Sequence, residues 1–209
     1  MRQVELVDAA LHLIATRGIA ALTTRKLAEA VGLTTGAIFR HFVTLDALLE
    51  AVVVRVEAVL AGTYPSSELP PLERLERFVE ARSTAVGQHL GILRLVLSEQ
   101  FLLALPDQGS ARLTSCVEQT RAFVSACVRE AQRDGSVRND LPAEALSAVV
   151  LGTTQLLALA GANPGLQGAD SRAVARALSL LLRPMQAEAS PSPRGPAKKP
   201  RIRAPKKVR

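Results

Sequence analysis

Three observations predict an all-α fold: composition, hydrophobic period, and the lack of any alternating segment. Apolar residues make up 48% of the chain and are mostly Leu, Ala and Val; aromatics are 3%, with no Trp and one Tyr, Tyr64. Aliphatic, alanine-rich composition suits helices packed on helices, whereas sheets favour β-branched and aromatic residues. Apolar residues recur at three- and four-residue spacing, and no segment sustains the two-residue alternation of a strand. At 209 residues the chain has enough apolar content for the core of one domain, or of two small ones packed together.

Taken in order, Val4, Val7, Leu11 and Ile14 give a first helix its apolar stripe, and Gly18 offers a C′ stop. Thr23 precedes TRKLAEAV, about two amphipathic turns closed by Gly32. The next stretch is GLTTGAIFRHF, with Thr34 as the expected N-cap. Thr44 caps LDALLEAVVVRVEAVLAG, with Asp46 well placed in the first turn and an end near Ala61. The Pro- and Ser-rich TYPSSELPP is a loop. Helices then follow over 72–88, 91–105 and 110–133, and from Pro142, read as an N1 proline, to about Ala160. After a break at Asn163-Pro164-Gly165, a last helix runs over about 171–186. That makes about nine helices, with no internal repeat.

Charge divides the chain more sharply than hydropathy does. The net charge is +7, yet residues 190–209 hold eight basic residues and no acidic ones, which leaves about −1 for residues 1–189. The tail, residues 190–209, is expected to be disordered, since its prolines forbid helix and favour an extended chain. The body is not generally basic, so any nucleic-acid contact in it must come from a local patch.

That patch is expected between Thr24 and His41. Leu27, Ala28 and Val31 face inward from one short helix, Gly32 makes the turn, Leu33 plugs it, and Ile38 with Phe42 anchors the next helix. Ala28 must be small where the helices cross, and Gly32 supplies the positive φ of a tight turn. This leaves Thr34, Thr35, Gly36, Ala37, Phe39, Arg40 and His41 on or near the outer surface, where a helix-turn-helix presents residues to a major groove. Short side chains let the backbone approach the bases. Thr35 can bond a base edge or a phosphate, and Ala37 can touch a thymine methyl. Arg25 and Lys26 suit phosphates. Two short helices joined at a glycine also occur as ordinary structure in many all-α proteins, and His41 serves packing or capping as readily as phosphate contact.

The segment TRKLAEAVGLTTGAIFRHFVTLDALL resembles the DNA-binding domain of TetR-family transcriptional regulators. Thr23, Arg25, Leu27, Ala28, Gly32, Gly36, His41, Phe42 and Leu48 fall on that family's pattern, and with its flanking helices the resemblance spans about residues 3–60. Two positions depart from it. Phe39 stands where the family usually has tyrosine, and Leu45 where it usually has lysine, which removes a hydroxyl and a charge that commonly meet phosphates. The basic tail is expected to compensate by running along the DNA backbone; a solvated solubility tail is the bland alternative.

The resemblance implies a helix-turn-helix DNA-binding domain over residues 1–44, a connecting helix over 45–61 that acts as a lever, and a regulatory and dimerisation domain over 62–189. The function implied is a DNA-binding transcriptional regulator and repressor, released from a palindromic operator by an apolar or amphipathic small molecule. An alternative is an effector-independent dimer that uses its tail for non-specific DNA association. Phe78, Leu93, Val96, Leu97, Phe101, Cys116 and Phe123 could line a ligand pocket, with Arg82, Gln119, Thr154 and Gln155 to orient a ligand. Leu146, Val149, Val150, Leu156, Val174, Leu178, Leu181 and Leu182, on the last two helices, are expected to form a homodimer interface.

Other classes have little support. With His89 as the only histidine after His41, there is no His-rich cluster, and no Gly-rich phosphate loop or acid/base couple stands out. No enzyme activity, metal or cofactor is expected. Cys116 and Cys127 lie ~16 Å apart along one helix at about 1.5 Å per residue, too far to bridge, and read as buried thiols. The first residues lack the apolar run of a secretory signal, and the apolar run over 151–162 is too short to span a bilayer, so a cytoplasmic protein with no membrane partner is expected.

Overall fold

Threonine side chains start three of the first four helices. Thr23 Oγ1 accepts from the Lys26 amide at 3.2 Å, Thr34 Oγ1 from Ala37 at 3.3 Å and Thr44 Oγ1 from Ala47 at 3.1 Å. Each supplies a partner for an amide that the first turn of a helix leaves orphaned. The computed structural model describes residues 2–97, 99–162 and 170–184. Among them are ten helices: α1 (Arg2–Arg17), α2 (Thr24–Val31), α3 (Thr35–Phe39), α4 (Leu45–Ala61), α5 (Pro71–Gln88), α6 (Leu90–Leu97), α7 (Glu99–Ala104), α8 (Asp107–Arg133), α9 (Ala143–Ala162) and α10 (Ser171–Leu182), with a 3-10 turn at Ile19–Ala21. The basic tail and the Asn163-Pro164-Gly165 break lie outside the described residues.

Helices α1 to α4 form a small bundle. Leu27, Ala28, Ile38 and Phe42 are buried as their pattern predicts, and Gly32 ends α2 in the left-handed region at φ 65°. The α1 stripe needs correction: Val4 is exposed, while Leu6, Val7, Ala10, Leu11, Leu13 and Ile14 are buried. An arc that wide has a reason. Helix α1 is covered by α2 and α4 and also by α6 from the regulatory half. At that crossing Gly91 meets the backbone of Leu11 so closely that a Cβ would overlap the Leu11 carbonyl oxygen and lie 3.0 Å from its carbon. One core therefore continues from Leu6 through Val52 and Val56 to Ile92 and Leu95.

A second core lies among α5, α8, α9 and α10, built on Phe78, Val79, Val124, Val128 and Val150. Several boundaries differ from expectation. The helix predicted over 91–105 is described as α6 and α7 on either side of Ser98, which lies outside the described residues; α6 packs on α1 and α9, and α7 on α8. Helix α8 begins at Asp107, where the Pro106 carbonyl accepts the Ser110 amide at 3.0 Å. Pro142 stands just before α9 rather than at its first position, and its carbonyl accepts the Leu146 amide at 3.2 Å.

The last two helices also sort the predicted interface residues. Leu146, Val150, Leu178 and Leu182 are buried in the subunit's own core, and Val174 packs partly against it, so these five serve the monomer. Val149, Leu156 and Leu181 are exposed, joined by Leu159 and Leu180. The cause is register. An amphipathic helix in a two-layer bundle turns one stripe to its own core, and the leucines offset by about 100° point away. Helix α9 is longer than the apolar run suggested: its Ala143–Ala160 window has a mean hydropathy of 1.5, enough by length and composition alone to cross a membrane. Here it packs on α5 and α8 and leaves its outer stripe uncovered.

Candidate nucleic-acid interface and internal cavity

The outward face of the helix-turn-helix begins at Thr34. Helix α3 has only five residues, so Arg40 and His41 fall in the turn after it rather than on a longer helix. The amides of His41 and Phe42 both reach the Ile38 carbonyl at 2.9 Å, which holds that turn against the bundle. Gln3 Nε2 on α1 donates to the His41 carbonyl at 3.3 Å. Thr34, Thr35, Gly36, Phe39 and Arg40 are exposed, and Ala37 and His41 half-buried. The fold thus gathers these seven on one surface around two buried anchors, Ile38 and Phe42.

Electrostatically this surface is poor. Arg25 is exposed but pairs with Glu29 one turn on, Nε to Oε1 at 3.0 Å, and Lys26 is half-buried. Phe39, at 47% exposure, stands outward rather than in the packing, beside Val43 at 80% and Leu45 at 39%. Val43 was missed from the sequence; its place between the recognition turn and the Thr44 cap is the signal. Gly36 has a helical backbone with nothing within 4 Å of where a Cβ would stand. The subunit's own packing therefore gives no reason for glycine there.

The regulatory half holds a partly open cavity of about 170 Å³ bounded by α4, α5, α6, α8 and α9. Of the predicted pocket residues, Phe78, Arg82, Leu93, Val96, Cys116 and Gln155 line it, as does Thr154, with Ile92, Leu151 and Ala158. Two do not. Gln119 is exposed and hydrogen-bonds Ser115 Oγ at 3.3 Å, because it lies on the outer face of α8. Phe123 packs behind the cavity, 5.2 Å from the Phe78 ring and 5.1 Å from the Tyr64 ring. The side chains of Leu97 and Phe101 lie outside the described residues.

Arg82 is the unusual member of that lining. It is 6% exposed, its guanidinium carbon is 5.0 Å from both the Tyr64 and Phe78 ring centroids, and its Nε and Nη2 have no hydrogen-bond partner. Burial pushes its pKa down, partly offset by the Tyr64 hydroxyl and by Cys116. Burial pushes the Cys116 thiol up, which favours its neutral form. The hydroxyls of Thr120 and Thr154 donate to backbone carbonyls of their own helices, Cys116 at 2.9 Å and Val150 at 2.8 Å.

Ion pairs join the two halves. Arg55 on α4 makes a forked pair with Asp8 on α1, at 3.0 and 3.3 Å. Arg112 on α8 pairs with Glu57 and lies 3.8 Å from Glu50, both on α4. Helix α4 is thereby tied to α1 on one side and to α8 on the other.

A helix-turn-helix with an outward, slim-started second helix, joined to a helical domain around an apolar cavity, defines a DNA-binding regulator. Residues 6–52 match the family described as Bacterial regulatory proteins, tetR family. The chain is similar to the HTH-type transcriptional repressor KstR2 of Mycolicibacterium smegmatis, 27% identical over 156 residues, covering 73% of this chain and 76% of that protein. KstR2 of Rhodococcus jostii is 24% identical over 147 residues, covering 68% and 71%. In fold it resembles KstR2 of Mycobacterium tuberculosis, with a TM-score of 0.72 at 21% identity over 87% of this chain and 93% of that one. It also resembles AibR solved with isovaleryl coenzyme A and operator DNA, with a TM-score of 0.70 at 16% identity over 88% and 99%. The matched domain and these relatives together support a transcriptional regulator of the tetR family.

Proposed function

We propose that a homodimer of this chain, in the cytoplasm, represses transcription from a palindromic operator and is released when an apolar or amphipathic small molecule fills the cavity. One observation carries the reading: α6 lines the cavity with Ile92, Leu93 and Val96, and lies backbone to backbone on α1 through Gly91. A ligand that moves α6 outward must move α1, and with it the helix-turn-helix, or lose the contact. Helix α4 provides a second route through Arg112 and Arg55. Ligand and operator then favour different arrangements, and each weakens the other. The AibR complex with both isovaleryl coenzyme A and operator DNA, and the naming of the Mycobacterium tuberculosis protein as a ketosteroid regulator, support a ligand-responsive repressor.

In this reading the exposed stripe of α9 (Val149, Gly152, Leu156, Leu159) meets its copy beside Leu180 and Leu181 of α10. Two recognition turns then read two half-sites. The operator-facing residues are Thr34, Thr35, Gly36, Ala37, Phe39, Arg40 and His41, with Arg25 and Lys26 toward phosphates. Selection of bound sequences from random DNA, followed by a release assay against a library of metabolites, tests the whole. A discrete inverted repeat released by an apolar ligand is expected; broad, unselective footprints would overturn it.

Gly36 gives a sharper test of the DNA face. Gly36→Ala should fold at least as well as the parent and gain up to about 0.5–1 kcal/mol, since alanine is the better helix former. Its operator affinity should fall about tenfold, the equivalent of ~1.4 kcal/mol, because the added methyl stands where the backbone approaches the groove. Melting and fluorescence anisotropy read the two effects separately. Undiminished affinity would move Gly36 off the contact surface.

A further inference from the structure

Among the described residues, the cavity contains a charge with no counter-ion. Among the described residues that line it there is no acidic side chain, and Arg82, one of them, is 6% exposed with two buried nitrogens that have no hydrogen-bond partner. A buried cation normally has a counter-ion, because an unpaired one forfeits its hydration for nothing. The two aromatic rings return part of that loss through cation–π contact and hold the guanidinium in place, but they accept no hydrogen bond from Nε or Nη2. Adjacent guanidinium N–H groups form the planar fork that fits a carboxylate with two parallel hydrogen bonds. A second arginine, Arg121 on α8, also lines the cavity and is exposed.

We infer that the effector is an amphipathic carboxylate whose two oxygens take the Nε and Nη2 protons of Arg82 and whose apolar body lies against Ile92, Leu93, Val96 and Leu151. The inference rests on the cavity being the effector site. It narrows that reading from apolar molecules in general to carboxylic acids. A cavity of ~150 Å³ takes up benzene, so about 170 Å³ accommodates one ring or a short branched chain, and its open side leaves room for a longer body to extend outward.

Isosteric probes test this on the full-length protein: cyclohexanecarboxylate, cyclohexanecarboxamide and cyclohexylmethanol, titrated calorimetrically at neutral pH. The parent protein should bind the carboxylate at least about tenfold tighter than the amide. In Arg82→Met that preference should vanish while the alcohol binds as before; Arg82→Lys, with a charge but no fork, should fall between. The unliganded Arg82→Met protein should melt above the parent, since an unpaired buried charge is removed, so failure to fold is not expected to obscure the result. An equal affinity for carboxylate and amide in the parent, with the alcohol still bound, would sink the carboxylate assignment and leave the cavity as an apolar site. A preference that survives in Arg82→Met would transfer the role to another cation and overturn the assignment to Arg82. If none of the three probes binds, the cavity reading fails, and the assignment with it.

Discussion

A subunit carrying Leu156→Glu and Leu181→Glu is expected to sediment as a monomer at micromolar concentration and to bind its operator about 100-fold more weakly, or worse. Both leucines are more than half exposed on a subunit whose own core is complete without them. Helicity should therefore be kept. In a twofold dimer each substitution appears twice, so four carboxylates would be buried against apolar neighbours, at several kcal/mol each if they stayed charged. Operator affinity falls because one recognition turn alone buries little surface and reads half a palindrome. Sedimentation velocity decides the matter: a variant that remains dimeric would place the interface elsewhere. The matched control is Leu178→Ala, which should lower stability by roughly 2–5 kcal/mol as a core truncation without altering the mode of assembly.

The second large effect is expected from Gly91→Ala. Overpacking a core costs about 1–3 kcal/mol when neighbouring side chains can rotate away. At Gly91 the neighbour is the Leu11 backbone, which cannot, so a loss at or above the top of that range is expected. For a protein of this length that lowers Tm by roughly 6–12 °C. Function should change beyond what stability explains: with α6 pushed off α1, filling the cavity should no longer release DNA. Gly62→Ala is the comparison, since a Cβ there meets only ordinary contacts at 3.6 and 3.7 Å. If Gly91→Ala melts like the parent and still releases its operator on ligand addition, α6 is not the coupling route.

What could be read from residue order was whatever depends on near neighbours. Thr34 and Thr44 cap as predicted because a cap is a contact three residues long, Thr23 caps the helix it was read as preceding, and Gly32 turns as predicted because a positive φ is a property of one residue. The long-range facts were less legible. Val4 appeared equivalent to Val7 until α6 closed one side of α1 and solvent kept the other. Leu146 and Val149 are both apolar and three residues apart, yet one is buried in the second core and the other faces out, a choice made by the neighbouring helices and not by hydropathy. Seven of the eleven proposed pocket residues line the cavity, since side chains on adjacent inner stripes converge. Gln119 failed because polarity next to an apolar stripe does not show which way a side chain turns. Arg82 was picked out for the same polarity, but its lack of a counter-ion emerges only once every helix around it is in place.

The apolar rim of the recognition turn bears on how this regulator finds its target. With Phe39, Val43 and Leu45 exposed and Arg25 held by Glu29, the helical body offers few free cations to displace counter-ions from a duplex. Its hold on arbitrary sequence should be brief, so sliding runs should be short and most approaches to a site should come from solution. Such a body, considered apart from the basic tail, trades search speed for clean departure: once an operator is lost, little of its own charge keeps it nearby to rebind.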